Sequence, residues 1–239
     1  MTASPPSARS RPRLVAVGRP SGAAEPRSPR RSARAERIGI LGGTFDPPHV
    51  GHLWLATLAA DERGLSQVLL VPAANPPHKR GRSISHAADR VLMTRLATAN
   101  DARLDVSLVE LQREGPSYTV DTLVELTARH PGAELYLVMA SDSLAAIDRW
   151  REPNRLLELA SWAVGPRPGT PFPTRASLTK RHGRAASRIH LLGGPALDIS
   201  ASEIRRRVAG GRSIRYLVPR AVEDLILDRR LYRRAPAPR

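Results

Sequence analysis

The chain has 239 residues, 41% of them apolar, no cysteine and a formal net charge of +16. That is apolar material for one or two domains with real cores, and it excludes disulfides, cysteine-metal centres and membrane-spanning helices, since no apolar run approaches bilayer length. The charge invites a nucleic-acid reading that its location weakens: residues 1–37 carry nine Arg against two Glu and residues 229–239 carry five Arg and no acid, so the two ends hold twelve of the sixteen charges. Lysine occurs only as Lys79 and Lys180, and this arginine bias reads as composition, with no specific nucleic-acid or membrane partner implied.

Residues 1–36 are rich in Pro, Ser, Ala and Arg without periodicity, which predicts a disordered extension. It lacks the continuous apolar segment of a secretory signal, and a cytoplasmic location fits the cysteine-free composition. A strand is predicted at 37–41, a helix at about 51–63, and a buried strand over Gln67–Pro72. The polar loop Ala73–His86 leads to a helix at about 87–99, a strand at Leu104–Leu108, and a helix from Val120 to about 129 after a Gly-Pro turn. Glu134–Met139 reads as another buried strand, followed by a helix near Ser143–Arg149 and a strand at Ser161–Gly165. Pro, Gly, Thr, Ser and Arg dominate 166–187, which predicts a long mobile loop. Arg188–Leu192 is the last strand, with helices at about 200–209 and 219–228 and a basic tail over 231–239. This alternation predicts an α/β fold: a Rossmann-like doubly wound parallel sheet forming a single domain over 37–230. Ligands of such sheets bind beyond the carboxyl ends of the strands, where strand order reverses.

The most specific stretch follows the first strand: Gly42-Gly43-Thr44-Phe45-Asp46-Pro47-Pro48-His49-Val50-Gly51-His52. A strand stops at a glycine pair that allows close backbone approach, and a helix begins at two imidazoles three positions apart. A helix N-terminus presents N–H groups and partial positive charge to an anion, above all a phosphate. The imidazoles suit phosphoryl oxygens better than a metal, because no carboxylate or third histidine completes a shell. Thr44 adds a hydroxyl. A lone glycine pair would be only a tight turn; eleven consecutive residues of this pattern are a site.

This run resembles the signature of the nucleotidylyltransferase superfamily, with its (T/H)xGH element, and in the Gly-Gly-Thr-Phe-Asp-Pro-Pro-His form it is similar to the bacterial nicotinate-nucleotide adenylyltransferases. The resemblance extends over about 38–230. It implies that Gly42, Gly43, Thr44, Phe45, His49 and His52 hold ATP, the histidines at its triphosphate. Asp198–Arg205 is similar to the family's second phosphate element, with Ser200 and Glu203 spaced as a capping box. Ala201 and Ser202 depart from the usual serine and threonine. Ser200, Ser202 and Arg205 are thereby implied at the β- and γ-phosphates, Arg205 with its forked donors carrying the charge. Lys79, in the Pro76-Pro77-His78-Lys79 loop, is implied to face the reacting phosphates.

Arg113–Leu123 contains Ser-Tyr-Thr-Val-Asp-Thr-Leu, a turn capped by Ser117, and is similar to the segment that separates the nicotinate branch from other members. It implies that Tyr118 and Thr119 hold the pyridine carboxylate and that Trp150 stacks on the ring. Asp142 is implied at the adenosine ribose, although Ala140 stands where the family has glycine, and Arg167 at the mononucleotide's phosphate. The implied reaction is adenylyl transfer from ATP to nicotinate mononucleotide, giving deamido-NAD and pyrophosphate, with a magnesium ion held mainly by the phosphates of ATP. A homo-oligomer is compatible with the sequence. Alternatives are another nucleotidylyltransferase, with nicotinamide mononucleotide or phosphopantetheine as acceptor, and a nucleic-acid-binding protein.

Overall fold

The computed structural model describes residues 35–75 and 84–233. Strands β1 (Arg37–Gly43), β2 (Gln67–Pro72), β3 (Leu104–Val106), β4 (Glu134–Ala140), β5 (Ser161–Gly165) and β6 (Ile189–Leu191) form one sheet in the order β3-β2-β1-β4-β5-β6. Every neighbouring pair is parallel, with Ile40 in register with Leu69 on one side and Leu137 on the other. Successive strand residues point to opposite faces, and here both faces are apolar. Ile38, Ile40, Leu69, Val71, Leu135, Leu137, Met139, Trp162 and Val164 share one core, and Leu41, Val68, Leu70, Tyr136, Val138 and Ala163 share the other.

Helices α3 (Thr119–Arg129) and α5 (Pro153–Leu159) cover the first face through Val120, Leu123, Leu126, Leu156 and Leu157. Helix α1 (Val50–Arg63) covers the second through Ala56, Leu58, Ala59 and Ala60. Its chain reverses at Gly64, whose left-handed backbone (φ 60°) suits glycine. Each fully buried Leu or Ile of these clusters contributes roughly 1.5–3 kcal/mol. A third core joins α2 (Ala87–Thr98), α7 (Ala201–Ala209) and α8 (Arg220–Asp228) around Met93, Ile204, Val222 and Ile226. Strand order reverses between β1 and β4, and α4 (Ser141–Ala145) begins where β4 ends.

The doubly wound parallel sheet expected from the sequence is therefore present. Some local expectations are corrected. The stretch 166–187 is not one long loop: Thr174 accepts the Ser177 N–H and starts α6 (Arg175–His182), which a 3-10 segment (Gly183–Arg188) follows. The helix expected at Ser143–Arg149 is split into α4 and a 3-10 turn (Ile147–Arg149). Helix α5, with Pro153 in its first turn, was not expected at all. Strand β1 also runs through the glycine pair to Gly43, and β3 stops at Val106, two residues early. The predicted disordered extension lies outside the described residues, apart from its last two.

Candidate active site

A cavity of about 520 Å³ opens at the carboxyl ends of β1 and β4, the point of strand-order reversal. Its floor is Ile40–Gly43 from β1 and Leu137–Ala140 from β4. The β1–α1 turn contributes Thr44, His49 and His52, and the start of α7 contributes Ser200, Ala201, Ser202 and Arg205. Tyr118, Thr119, Asp142, Trp150 and Arg167 line the same space.

The two glycines of the pair face different surroundings. Gly42 has open space where a Cβ would stand. A Cβ on Gly43 would lie 2.9 Å from Phe45 Cζ, so Gly43 is needed for the phenyl ring to tuck beneath the turn. Phe45 itself is 1% exposed, has a left-handed backbone (φ 49°) and belongs to the core under α1. Phe45 does not line the cavity; its ring supports His52 edge-on, with ring centroids 5.0 Å apart.

His49 is the N-cap of α1 and His52 the third residue inside it, so the two side chains reach for each other's backbone N–H groups as in a capping box. Only one half reaches hydrogen-bond geometry: His52 Nδ1 accepts from the His49 N–H at 3.2 Å, and His49 Nδ1 is buried without a partner. Because Nδ1 of His52 accepts, a neutral ring carries its proton on Nε2. The rings stack at 3.7 Å. Burial, then the charge of Arg167, push the His49 pKa down to about 4, so this imidazole is neutral at pH 7. The helix end is less open than the sequence suggests, since the Val50 N–H donates to Leu217 O at 3.0 Å.

The β1–α1 turn and the start of α7 meet. Arg205 donates through Nη1 to the main-chain oxygen of Asp46 at 2.6 Å and through Nη2 to Ser202 Oγ at 3.2 Å. Ser200 accepts the Glu203 N–H at 3.2 Å, but the expected reciprocal half of that capping box is replaced: the Glu203 carboxylate pairs with Arg206, Arg207 and Arg212. At the other end of the cavity Asp142 and Arg167 form an ion pair at 3.1 Å, and the Arg151 guanidinium lies 4.8 Å over the Tyr118 ring. Of the three tryptophans, Trp162 is core at 1% exposure, whereas Trp150 is half-buried in the cavity wall. Ser117 does not cap α3; Tyr118 holds that position, and Ser117 Oγ instead accepts the N–H groups of Ala74 and Asn75 at 3.0 and 3.2 Å. Lys79 lies outside the described residues.

A family model described as cytidylyltransferase-like matches residues 40–207. A protein of Thermomicrobium roseum named probable nicotinate-nucleotide adenylyltransferase is 45% identical over 201 residues, covering 84% of this chain and 94% of that one. The chain belongs to the nicotinate-nucleotide adenylyltransferases. Another such adenylyltransferase, from Desulfitobacterium hafniense strain Y51, is 42% identical over 203 residues, 84% of this chain and 98% of its own. The nicotinic acid mononucleotide adenylyltransferase of Plasmodium falciparum, solved in complex with NaAD, has the same fold: TM-score 0.69 at 20% identity, covering 82% of this chain and 97% of that one.

Other site-forming residues of this adenylyltransferase escaped the sequence reading. Arg90 of α2, 2% exposed, donates to the main-chain oxygens of Thr44, Ala73 and Ser85 at 2.9, 2.7 and 3.1 Å. Its position on the apolar stripe with Met93 and Ala97 was the signal. Glu110, also buried, lines the cavity and accepts the Thr122 hydroxyl proton at 2.8 Å. Tyr232, assigned to the basic tail, reaches Asp46. No group of three or more His, Asp or Glu side chains suited to a metal occurs among the described residues, and no described helix is long and apolar enough to cross a membrane.

Proposed function

We propose that this cavity joins ATP and nicotinate mononucleotide into deamido-NAD, with release of pyrophosphate, in NAD biosynthesis. The observation that carries the reading is the bond from Arg205 to the Asp46 main chain, which sets the α7 start beside the paired imidazoles, within reach of one polyphosphate. In the reaction a phosphate oxygen of the mononucleotide attacks the α-phosphorus of ATP in line. The new P–O bond forms as the bond to the β-phosphate bridging oxygen breaks, and the electron pair leaves on pyrophosphate. The acceptor phosphate is already ionised near neutral pH, so no general base is needed. The protein's contribution is position and charge neutralisation.

We assign His49, His52 and Arg205 to the triphosphate, His52 donating from Nε2. Gly42, Thr44, Ser200 and Ser202 line that path, and Asp142 takes the adenosine ribose. We assign Tyr118, Thr119 and Trp150 to the pyridine and Arg167 to the mononucleotide's phosphate. The polar side chains of the cavity are mainly imidazole, guanidinium and hydroxyl, Glu110 is bonded to Thr122 and Asp142 is paired with Arg167, so magnesium belongs to the substrate and enters on the ATP phosphates. We place the reaction in the cytoplasm.

The test is pyrophosphate release from ATP and magnesium with nicotinate or nicotinamide mononucleotide as acceptor. Release with nicotinate mononucleotide, faster than with the amide, is expected. No release with either overturns the assignment, and equal release removes the discrimination between them.

A further inference from the structure

Asp46 is 3% exposed, and its oxygens are tied in three directions. Oδ1 accepts the Tyr232 hydroxyl proton at 2.7 Å, Oδ2 accepts the Ser85 N–H at 3.3 Å, and the main-chain oxygen accepts Arg205 at 2.6 Å. A buried carboxylate must be hydrogen-bonded, so its place is set by where its donors stand. One of those donors comes from the far end of the chain. After α8, the Leu231 N–H donates to Ile226 O, and Leu231 and Tyr232 pack on the third core. Arg230 and Tyr232 both adopt left-handed backbone (φ 53° and 63°), a conformation that non-glycine residues keep only where their surroundings hold them in it. The ring contacts Met93, with the hydroxyl 3.7 Å from the sulfur.

We propose that the Tyr232 hydroxyl is a positioning residue for adenylyl transfer, fixing through the Asp46 carboxylate the turn that carries His49 and the carbonyl on which Arg205 rests. It touches no substrate; it acts through Asp46. Burial and the neighbouring carboxylate both push its pKa up, so the hydroxyl remains a proton donor throughout the working pH range. The Asp46 carboxylate lies in the same chain segment as His49, and the main-chain oxygen of Asp46 holds Arg205, so a shift of this one residue reaches both phosphate elements. The inference rests on the function proposed above.

The experiment uses the full chain with Tyr232→Phe, which keeps the ring and loses one oxygen, and Tyr216→Phe, an 83% exposed tyrosine, as control. ATP affinity is read by calorimetry without acceptor, turnover by pyrophosphate release, and stability by the melting temperature. Tyr232→Phe is expected to lower turnover by about tenfold or more and to weaken ATP binding at temperatures far below melting, since small displacements of positioning groups have effects of up to about a hundredfold. 4-Aminophenylalanine at 232, a weaker donor in the same place, falls between Phe and wild type and serves if the Phe variant does not fold. A purely structural tyrosine would lower the melting temperature alone. Turnover and ATP affinity within twofold of wild type in the folded variants overturn the proposal. Wild-type protein inert toward nicotinate mononucleotide would instead overturn the function, and the ATP affinities would still decide the tyrosine.

Discussion

The two ends of the cavity are held by different kinds of partner. At the end formed by the β1–α1 turn and α7, buried Arg90 and half-buried Arg205 and Tyr232 hold the turn: Arg90 on Thr44 O and Ala73 O, Arg205 on Asp46 O, Tyr232 on the buried Asp46 side chain. At the end formed by α3 and α4 the Glu110–Thr122 bond is buried, but the charged groups that face the cavity are tied by exposed side-chain pairs. Asp142 and Arg167 are 47% and 34% exposed, and Arg151, 52% exposed, covers Tyr118 with long contacts to Asp121 and Glu152 at 3.8 and 3.5 Å. Breaking a buried hydrogen bond costs about 1–3 kcal/mol, more when a charge is stranded, whereas an exposed pair is worth about 0–1 kcal/mol. The first end is thus built before any ligand arrives. The second can exchange its internal pairs for those of a substrate: Arg167 can leave Asp142 for a phosphate and free the carboxylate for a ribose.

The largest expected effect tests the prebuilt end. His52→Ala removes the donor we assign to the triphosphate, together with the acceptor for the His49 N–H. Loss of one preorganised donor to developing charge lowers turnover by roughly 10²–10³-fold. The melting temperature should drop only by the equivalent of about 1 kcal/mol, the usual worth of a cap. Turnover near wild type would mean that the imidazole pair is no more than a helix cap, and the contrast between the two ends would lose its chemical meaning.

That contrast was partly legible in the sequence. The strands were, because Val, Ile and Leu fill both faces of a parallel sheet, leaving runs such as Val68–Val71 that tolerate no other reading. The signature turn was legible too, because its chemistry is packed into eleven consecutive residues. Helix α6 was not: it buries one residue, Leu178, so its amphipathic signal is too weak to outweigh the Pro, Gly and Thr around it. The long-range ties were hidden for another reason. Ser117 meets Ala74, and Tyr232 meets Asp46, 43 and 186 residues away in sequence, and neither residue type declares such a partner. Arg90 went unread although it left a signal, since an arginine on an apolar helical stripe asks for a buried acceptor.

A smaller effect sharpens the comparison through pH. Burial holds His49 neutral with its pKa near 4, against about 6.5 when unfolded. As pH falls below 6.5 the unfolded chain takes up the His49 proton first, so stability declines through the window from about 6.5 down to about 4 and levels off below it. Two and a half pKa units bound the full effect at about 3 kcal/mol, and between pH 7 and 5 it is about 2 kcal/mol. His182 and His190, also pushed down chiefly by burial, change in the same direction, so the measurement is the difference between wild type and His49→Gln in denaturant unfolding at both pH values. The wild type should lose more stability than the variant. Equal losses would show that the stacked imidazole is hydrated in solution and that the prebuilt end is looser than the hydrogen bonds suggest.

The smallest effect belongs to the exchangeable end. Trp150 closes the 3-10 turn after α4, is packed partly on the first core and faces the cavity. Trp150→Leu keeps apolar volume on the core side and removes the flat aromatic surface. Aromatic stacking beyond simple burial is worth about 0.5–1.5 kcal/mol, so KM for nicotinate mononucleotide should rise by roughly two- to tenfold. Stacking holds the ring equally in ground and transition states, so kcat at saturation should stay close to wild type. KM for ATP should move less, because the groups assigned to its phosphates sit on α1 and α7 and only Asp142, assigned to its ribose, shares the Trp150 end of the cavity. If KM for ATP rises as much as KM for the mononucleotide, Trp150 serves both ends, and the cavity is one coupled surface in which neither nucleotide has its own half.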